Sequence, residues 1–246
     1  MSQSAPTTAA ELTDALAAAL EQDPWINPHR CPIRSRLEDD RLILEGEVEH
    51  VAAWRRAEAL AGQLAGDRWA VENHLRRHPV ETMGDRELRD GVVTAFTGES
   101  SFANVTLHAH TGNRTETLQE GDPEAGRIMV AIEGSTIILA GEVGSLSHRR
   151  LAEAMCWWIG GCEAVDNRLT VVPAEEDSDD ELNDAVRLVL EKDPMVHADP
   201  IAVGTAAGVI HLDGTVASKE EKRFAALDCF AVPGVWDVND RLNVAG

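Results

Sequence analysis

Two histidines are the first candidates for chemistry in this chain. His108 and His110 lie two residues apart, next to the alternating segment 105–109, which is typical of a strand. Both side chains would then point to one face and could ligate one metal ion, with Glu116 or Glu120 completing the set. Because a zinc site usually needs three or four converging ligands, the competing interpretation is a pair of solvated histidines at a loop edge. We favour this second interpretation and predict no metal site.

Several acidic residues near three glycine-containing turns form a second candidate set. Calcium or potassium binding needs several oxygens that converge on one point, some of them from backbone carbonyls. The sequence cannot show convergence, so solvated acids are the preferred interpretation and a cation site is the alternative. The carboxylates concerned are Asp23, Asp193, Asp213, Glu45, Glu47 and Glu142.

Two adjacent tryptophans and three cysteines complete the candidates. On a helix neighbouring residues point about 100° apart. Trp158 is therefore expected to cover a seam between repeats and Trp157 to be exposed as an interface or membrane-surface anchor. Cys156 and Cys229 occupy matching helix positions, where free cysteine behaves as a small core residue. Cys162 follows two glycines and is expected to be the exposed thiol. No triad or activated nucleophile is recognisable.

A five-residue pattern organises the whole chain, because it occurs three times. Leu139-Ala140-Gly141-Glu142-Val143 has counterparts centred on Gly46 and Gly214. Each copy ends an apolar run and precedes an alanine-rich helical pattern. We interpret the three glycines as fold-defining positions that need an unusual backbone angle or a close approach. Direct contact with a ligand is the alternative.

Each copy lies within one predicted unit of order α-β-β-α-β. The first helix ends at Asp23-Pro24 in one repeat and at Asp193-Pro194 in another, because the residue before proline is pushed out of the helical region. The predicted units are 8–79, 85–173 with an insertion at about 103–126, and 178–246. Within the insertion, 105–109 is a candidate extra strand and 111–126 a mobile loop. An acidic linker at 173–180 is expected to be solvated.

Composition excludes several classes of function. With 43 acidic and 22 basic residues, the formal net charge is −21, which disfavours nucleic acid and simple electrostatic binding to anionic lipid. No run approaches 18 uninterrupted apolar residues, so no transmembrane segment is predicted. The first ten residues lack a secretory pattern, and we therefore expect a cytoplasmic protein with reduced thiols.

Taken together, these features resemble the BON domain family of bacterial osmotic-stress and envelope-associated proteins. The resemblance rests on the helix ending in Asp-Pro, the hairpin running into Leu-x-Gly-x-Val, and a closing Val-x-Asn-x-Leu with Asn73 and Asn167, where the third copy has Asp240. It implies an α+β fold of three tandem αββαβ units, each a small three-stranded mixed sheet covered on one face by two helices. It also implies no catalytic site, no cofactor, and an association with phospholipid surfaces and stress protection.

Two functional hypotheses follow. The first is a non-enzymatic BON-repeat protein that binds a lipid surface or a protein partner. The alternative is a cytosolic protein that responds to a monovalent or divalent cation, motivated by the net charge of −21 and by a potassium-binding relative in the family that the chain resembles. An enzyme that uses the insertion as a lid is disfavoured, because the chain lacks a phosphate loop, a triad or a metal box.

Overall fold

The computed structural model describes residues 8–111 and 114–245. It divides into two compact units, one ending at His78 and the other beginning at Pro79. The first unit holds one repeat, and the second unit holds the other two. In the described residues, no helix has both the length and the apolar content needed to cross a membrane.

The first unit folds in the predicted order. Its sheet has the strand order β1-β2-β3, with β1 antiparallel to β2 and β2 parallel to β3. Both helices pack on one face, where Leu12, Leu42 and Ala57 are fully buried. The elements are α1 (Ala9–Gln22), β1 (Ile33–Glu38), β2 (Arg41–Val48), α2 (Val51–Ala65) and β3 (Ala70–Arg77).

Local signals in the sequence explain where α1 begins and ends. Thr8 and Glu11 form a reciprocal capping box: the Glu11 N–H donates to Thr8 Oγ1 at 3.2 Å and the Thr8 N–H donates to Glu11 Oε2 at 3.0 Å. The helix ends at Asp23, in extended conformation before Pro24. The leucines at helical spacing between these ends form the buried face.

The second unit begins with the most altered repeat. Helix α3 (Asp85–Gly98) and a short 3-10 turn (Ser100–Phe102) precede five strands, and α4 (Leu146–Trp157) lies between the last two. The sheet has the order β5-β4-β6-β7-β8. The strands are β4 (Thr106–Thr111), β5 (Arg114–Gln119), β6 (Gly126–Glu133), β7 (Thr136–Val143) and β8 (Ala164–Val171).

The insertion is more ordered than the sequence indicates. Strand β4 confirms the extra strand predicted at 105–109, and it pairs parallel to β6. The mobile loop predicted at 111–126 is wrong for Arg114–Gln119, which form β5 and pair antiparallel with β4. Residues 112–113 of that prediction lie outside the described residues. The middle sheet therefore has five strands rather than the three expected of each unit.

The last repeat reproduces the first. Its sheet pairs β9 antiparallel and β11 parallel to the central β10. Ser178 caps the first helix by accepting the Glu181 N–H. Its elements are α5 (Asp179–Lys192), β9 (Ile201–Ala206), β10 (Val209–Val216), α6 (Lys219–Ala231) and β11 (Asp237–Val244). The predicted α+β class with tandem αββαβ units is confirmed.

The closing signature of each repeat has a local role. In the third strand of the first repeat, Asn73 Oδ1 accepts the N–H of Leu75 at 3.1 Å. Asn167 makes the equivalent bond to the Leu169 N–H at 3.2 Å. Asp240 does the same for the last strand at 3.0 Å, which explains why a carboxylate can replace the amide there.

Candidate functional site

The three repeated glycines occupy backbone positions that no other residue fits. Gly46, Gly141 and Gly214 have φ angles of +131°, +128° and +135°. A Cβ atom at Gly214 would lie 2.0 Å from the carbonyl oxygen of Pro200, and the other two would meet equally close carbonyl oxygens at 2.3 and 2.2 Å. Each glycine sits where the central strand passes its antiparallel neighbour. Backbone geometry alone therefore accounts for them.

His108 and His110 lie on one face of β4, and each is held by the neighbouring strand. The Nδ1 atom of His108 is 3.1 Å from Thr117 Oγ1, and that of His110 is 3.3 Å from Thr115 Oγ1. Glu116 is paired with Ala109, so it points to the opposite face of the strand. Across 8–111 and 114–245, no three His, Cys, Asp or Glu side chains gather as a metal site.

The carboxylates near the glycine turns are mostly paired with cationic side chains. Asp23 Oδ2 accepts from Arg56 Nε at 2.8 Å inside the first repeat. The other arginine pairs are Glu45 with Arg36, Glu142 with Arg127, and Asp213 with Arg241, while Glu47 Oε2 lies 3.5 Å from His78 Nδ1. Asp193 differs, because its neighbour is the carboxyl group of Asp228. Within 8–111 and 114–245, no three of these acids gather at one point that could hold a cation.

Trp158 lies at the seam between repeats, as predicted, whereas Trp157 is buried instead of exposed. Trp157 is only 3% exposed, so the prediction of an exposed anchor at this position is wrong. The helical offset between neighbours turns Trp157 into the core and Trp158 outward. Trp158 is 36% exposed, and its Nε1–H donates to Asp228 Oδ1 at 2.8 Å. Asp228 lies on α6, so this bond joins the second repeat to the third.

All three candidate cysteines are buried. Cys156 and Cys229 are fully buried, as expected for small core residues, and burial raises the pKa of both thiols well above the usual value. Cys162 is also fully buried, so its predicted exposure is wrong. Its Sγ lies 3.5 Å from the carbonyl oxygen of Ala164, which places the turn inward.

Polar contacts hold the second and third repeats together. Arg150 is 3% exposed and donates to the carbonyl oxygen of Pro233 at 3.0 Å and to Asp177 Oδ1 at 2.7 Å. Glu175 accepts the N–H of Leu146 at 2.7 Å. The linker at 173–180 is exposed, as predicted, and two of its acids also contribute contacts to this seam. The carboxylate of Glu175 lies at the first turn of α4, where the helix dipole stabilises negative charge.

Two large apolar side chains near the seam are exposed, Trp158 and Met195, and we name them together the Trp158–Met195 surface. Met195 is 59% exposed, and its N–H donates to Asp193 Oδ1 at 2.8 Å. Asp193 lies beside Asp228, whose Oδ1 accepts from Trp158. No sequence pattern indicates Met195 directly, although the Asp-Pro motif locates it: Trp25 holds the same place in the first repeat.

A separate surface groove of about 700 Å³ lies at the end of α3 and the middle sheet. Its charged side chains are of both signs. It combines no nucleophile with a base, and it presents no uniform charge to a ligand. The lining residues are Asp85, Arg86, Arg89, His110, Ala131, Ile132 and Glu133. The Trp158–Met195 surface is therefore the better candidate site.

Comparison with known proteins identifies the repeats. The model of the family described as BON domain matches residues 8–77, 114–173 and 178–246. No curated protein gives a significant match. Two solved structures are similar in part, both of CdsD, a structural protein of the type III secretion system of Chlamydia trachomatis. The one described as its C-terminal domain has a TM-score of 0.25 at 10% identity and covers 96% of this chain and 98% of its own. The other has a TM-score of 0.24 at 12% identity, with 96% and 92% covered.

Proposed function

Because the chain belongs to the BON domain family, we propose that it is a non-enzymatic binding protein whose Trp158–Met195 surface contacts a phospholipid membrane surface. The observation that carries this proposal is the exposure of these two side chains, at 36% and 59%. Two exposed large apolar side chains beside one seam, in a chain with a net charge of −21, support an interaction site there. Tryptophan suits the interface between water and lipid, since it has an apolar ring and a polar N–H.

The charge of the chain decides which lipid surface is favoured. A net charge of −21 repels anionic headgroups, so contact must come from burial of apolar area in a zwitterionic membrane. A cation-responsive role has less support, because most of the candidate carboxylates form ion pairs with arginine. Binding to the membrane is therefore expected to persist at high salt, whereas electrostatic binding would weaken.

Flotation of the full chain with vesicles of phosphatidylcholine tests the proposal. Wild-type protein should float with these vesicles and should float less when anionic lipid is added. Met195→Asp should reduce the bound fraction by about tenfold, because burial of a methionine side chain is worth about 1.5–3 kcal/mol and is lost. Met195 is the better target, since Trp158 also holds the seam.

Val172→Asp is the matched control. Val172 is 56% exposed, close to the 59% of Met195, and the substitution makes the same change of charge. It should leave flotation unchanged. Equal loss of binding in both variants would show that the effect comes from net charge alone and not from Met195. Absence of wild-type binding to any vesicle would refute the proposal.

A further inference from the structure

The first helix of each repeat ends in an acidic residue with one shared backbone contact. Asp23 Oδ1 accepts the N–H of Trp25 at 2.9 Å. Glu99 Oε1 accepts the N–H of Ser101 at 2.8 Å, and Asp193 Oδ1 accepts the N–H of Met195 at 2.8 Å. In all three, the acceptor bonds the residue two positions further on. The three carboxyl groups therefore make the same hydrogen bond to the backbone in all three repeats.

Their charges are neutralised differently. Asp23 is paired with Arg56, whose Nε lies 2.8 Å away, and both side chains are nearly buried. Glu99 is paired with Lys192, with 2.5 Å between Nζ and Oε1. At Asp193 the neighbour is a second acid, Asp228. A buried carboxylate needs a compensating partner, and another carboxylate cannot supply one while both are ionised.

The surroundings of Asp228 contain no substitute cation. The residue is 3% exposed, and Trp158 Nε1–H is bound to its Oδ1. Its Oδ2 is buried without a donor among the described residues. Cys229 lies beside it in the core, and Asp240 is already within 3.4 Å of Lys222. Lys192, which precedes Asp193, is directed to Glu99. No ion pair involving Asp193 or Asp228 occurs in the part of the chain that the structure describes.

A buried carboxyl oxygen that has neither a hydrogen-bond donor nor a cation beside it is best accommodated when its group carries a proton. We propose that Asp228, with Asp193 beside it, is a proton-binding site at the seam and thereby couples the packing of the third repeat on the second to pH. The proton takes the place that arginine has in the first repeat and lysine in the second. This inference is independent of the proposed membrane contact.

The direction of the pH effect follows from the geometry. Burial and the neighbouring Asp193 raise the pKa of Asp228 well above its usual range, and the Trp158 N–H lowers it by less. The folded chain then holds a proton that the unfolded chain has released. The stabilisation is complete below the unfolded pKa and is lost as pH rises through the folded pKa. Alkaline conditions should therefore weaken the seam.

Carboxyl ¹³C chemical shifts of the aspartates in the full-length wild-type chain give a direct test. One resonance, assigned by its absence in Asp228→Asn, should titrate well above the exposed aspartates. The infrared band of a neutral carboxylic acid should be present at neutral pH and missing in that variant. Titration of Asp228 in the ordinary aspartate range would overturn the proposal.

The pH dependence of the melting temperature gives a second test of the proposal. Asp228→Asn carries a permanent amide donor, so its melting temperature should fall less than that of wild type from about pH 5 to about pH 8. Asp184→Asn is the matched control: Asp184 is exposed on α5, and the variant should keep the wild-type dependence. If Asp228→Asn does not fold, Asp193→Asn replaces it. A titration midpoint that moves when potassium replaces sodium at constant ionic strength would show a cation in place of the proton, and would also overturn the proposal.

Discussion

Replacing Gly214 by alanine should destabilise the second unit severely. Its φ of +135° is a conformation that alanine rarely adopts, and this costs on the order of 1–3 kcal/mol. The new Cβ would lie 2.0 Å from the carbonyl oxygen of Pro200, which is backbone and cannot rotate away. Separating the two strands to relieve this contact costs roughly another 1–3 kcal/mol, by analogy with overpacked cores. The expected total is about 2–6 kcal/mol.

Thermal unfolding followed by circular dichroism measures this loss. For a unit of this size, the melting temperature should fall by roughly 5–20 °C. Gly204→Ala is the control, since Gly204 lies in β9 of the same sheet and a Cβ added there would meet nothing within 4 Å. That variant should be neutral or slightly more stable, by about 0.4–1 kcal/mol. If the two variants melted at the same temperature, the interpretation of the glycine repeat as a backbone requirement would fail.

Two further predictions concern titratable groups. Burial raises the pKa of Glu99, but hydrogen bonds from Lys192, Ser101 and Ser100 outweigh it and lower the pKa to about 2. The stability that Glu99 contributes is present above its unfolded pKa and is lost as pH falls towards about 2. Glu99→Gln should therefore make the stability of the fold less dependent on pH over that window. An unchanged dependence would contradict the pairing with Lys192. Among the thiols, only half-buried Cys31 should react with a thiol reagent in the native chain, and fast labelling of more than one cysteine would contradict the observed burial of Cys156, Cys162 and Cys229.

The repeat architecture could be predicted because its signals are local. Thr8 with Glu11, the Asp-Pro helix ends and the three glycines each act within a few residues of themselves. Helical spacing of Leu12, Leu16 and Leu20 defines the buried face of α1 without knowledge of its partner. Local consistency of this kind is what allows one repeat to be aligned on another.

Errors arose where tertiary packing decides the outcome. The segment Arg114–Gln119 is polar and exposed, so nothing in its pattern distinguishes an edge strand from a loop; pairing with β4 makes it a strand. Trp157 and Trp158 could not be assigned to core and surface, because a shift of one residue in helical phase reverses them. Cys162 follows two glycines, a turn signal that does not reveal whether the turn faces inward.

The acids at the ends of the first helices show the limit of reasoning from repeats. Their backbone role could be read from the chain, since Asp23 and Asp193 hold the same place before proline. Their partners could not be read from the chain, because Arg56 is 33 residues from Asp23 and Lys192 is 93 residues from Glu99.

The third repeat lacks the guanidinium that would neutralise its acid. When the glycines are aligned, the position of Arg56 in α2 is occupied by Phe224 in α6. A buried carboxyl group that loses its cation must change its protonation or its neighbours. In the third repeat the neighbours differ, since Asp228 adds a second carboxyl group and Trp158 of the preceding repeat donates to it. Equivalent positions can thus share a fold and differ in the chemistry that keeps them buried.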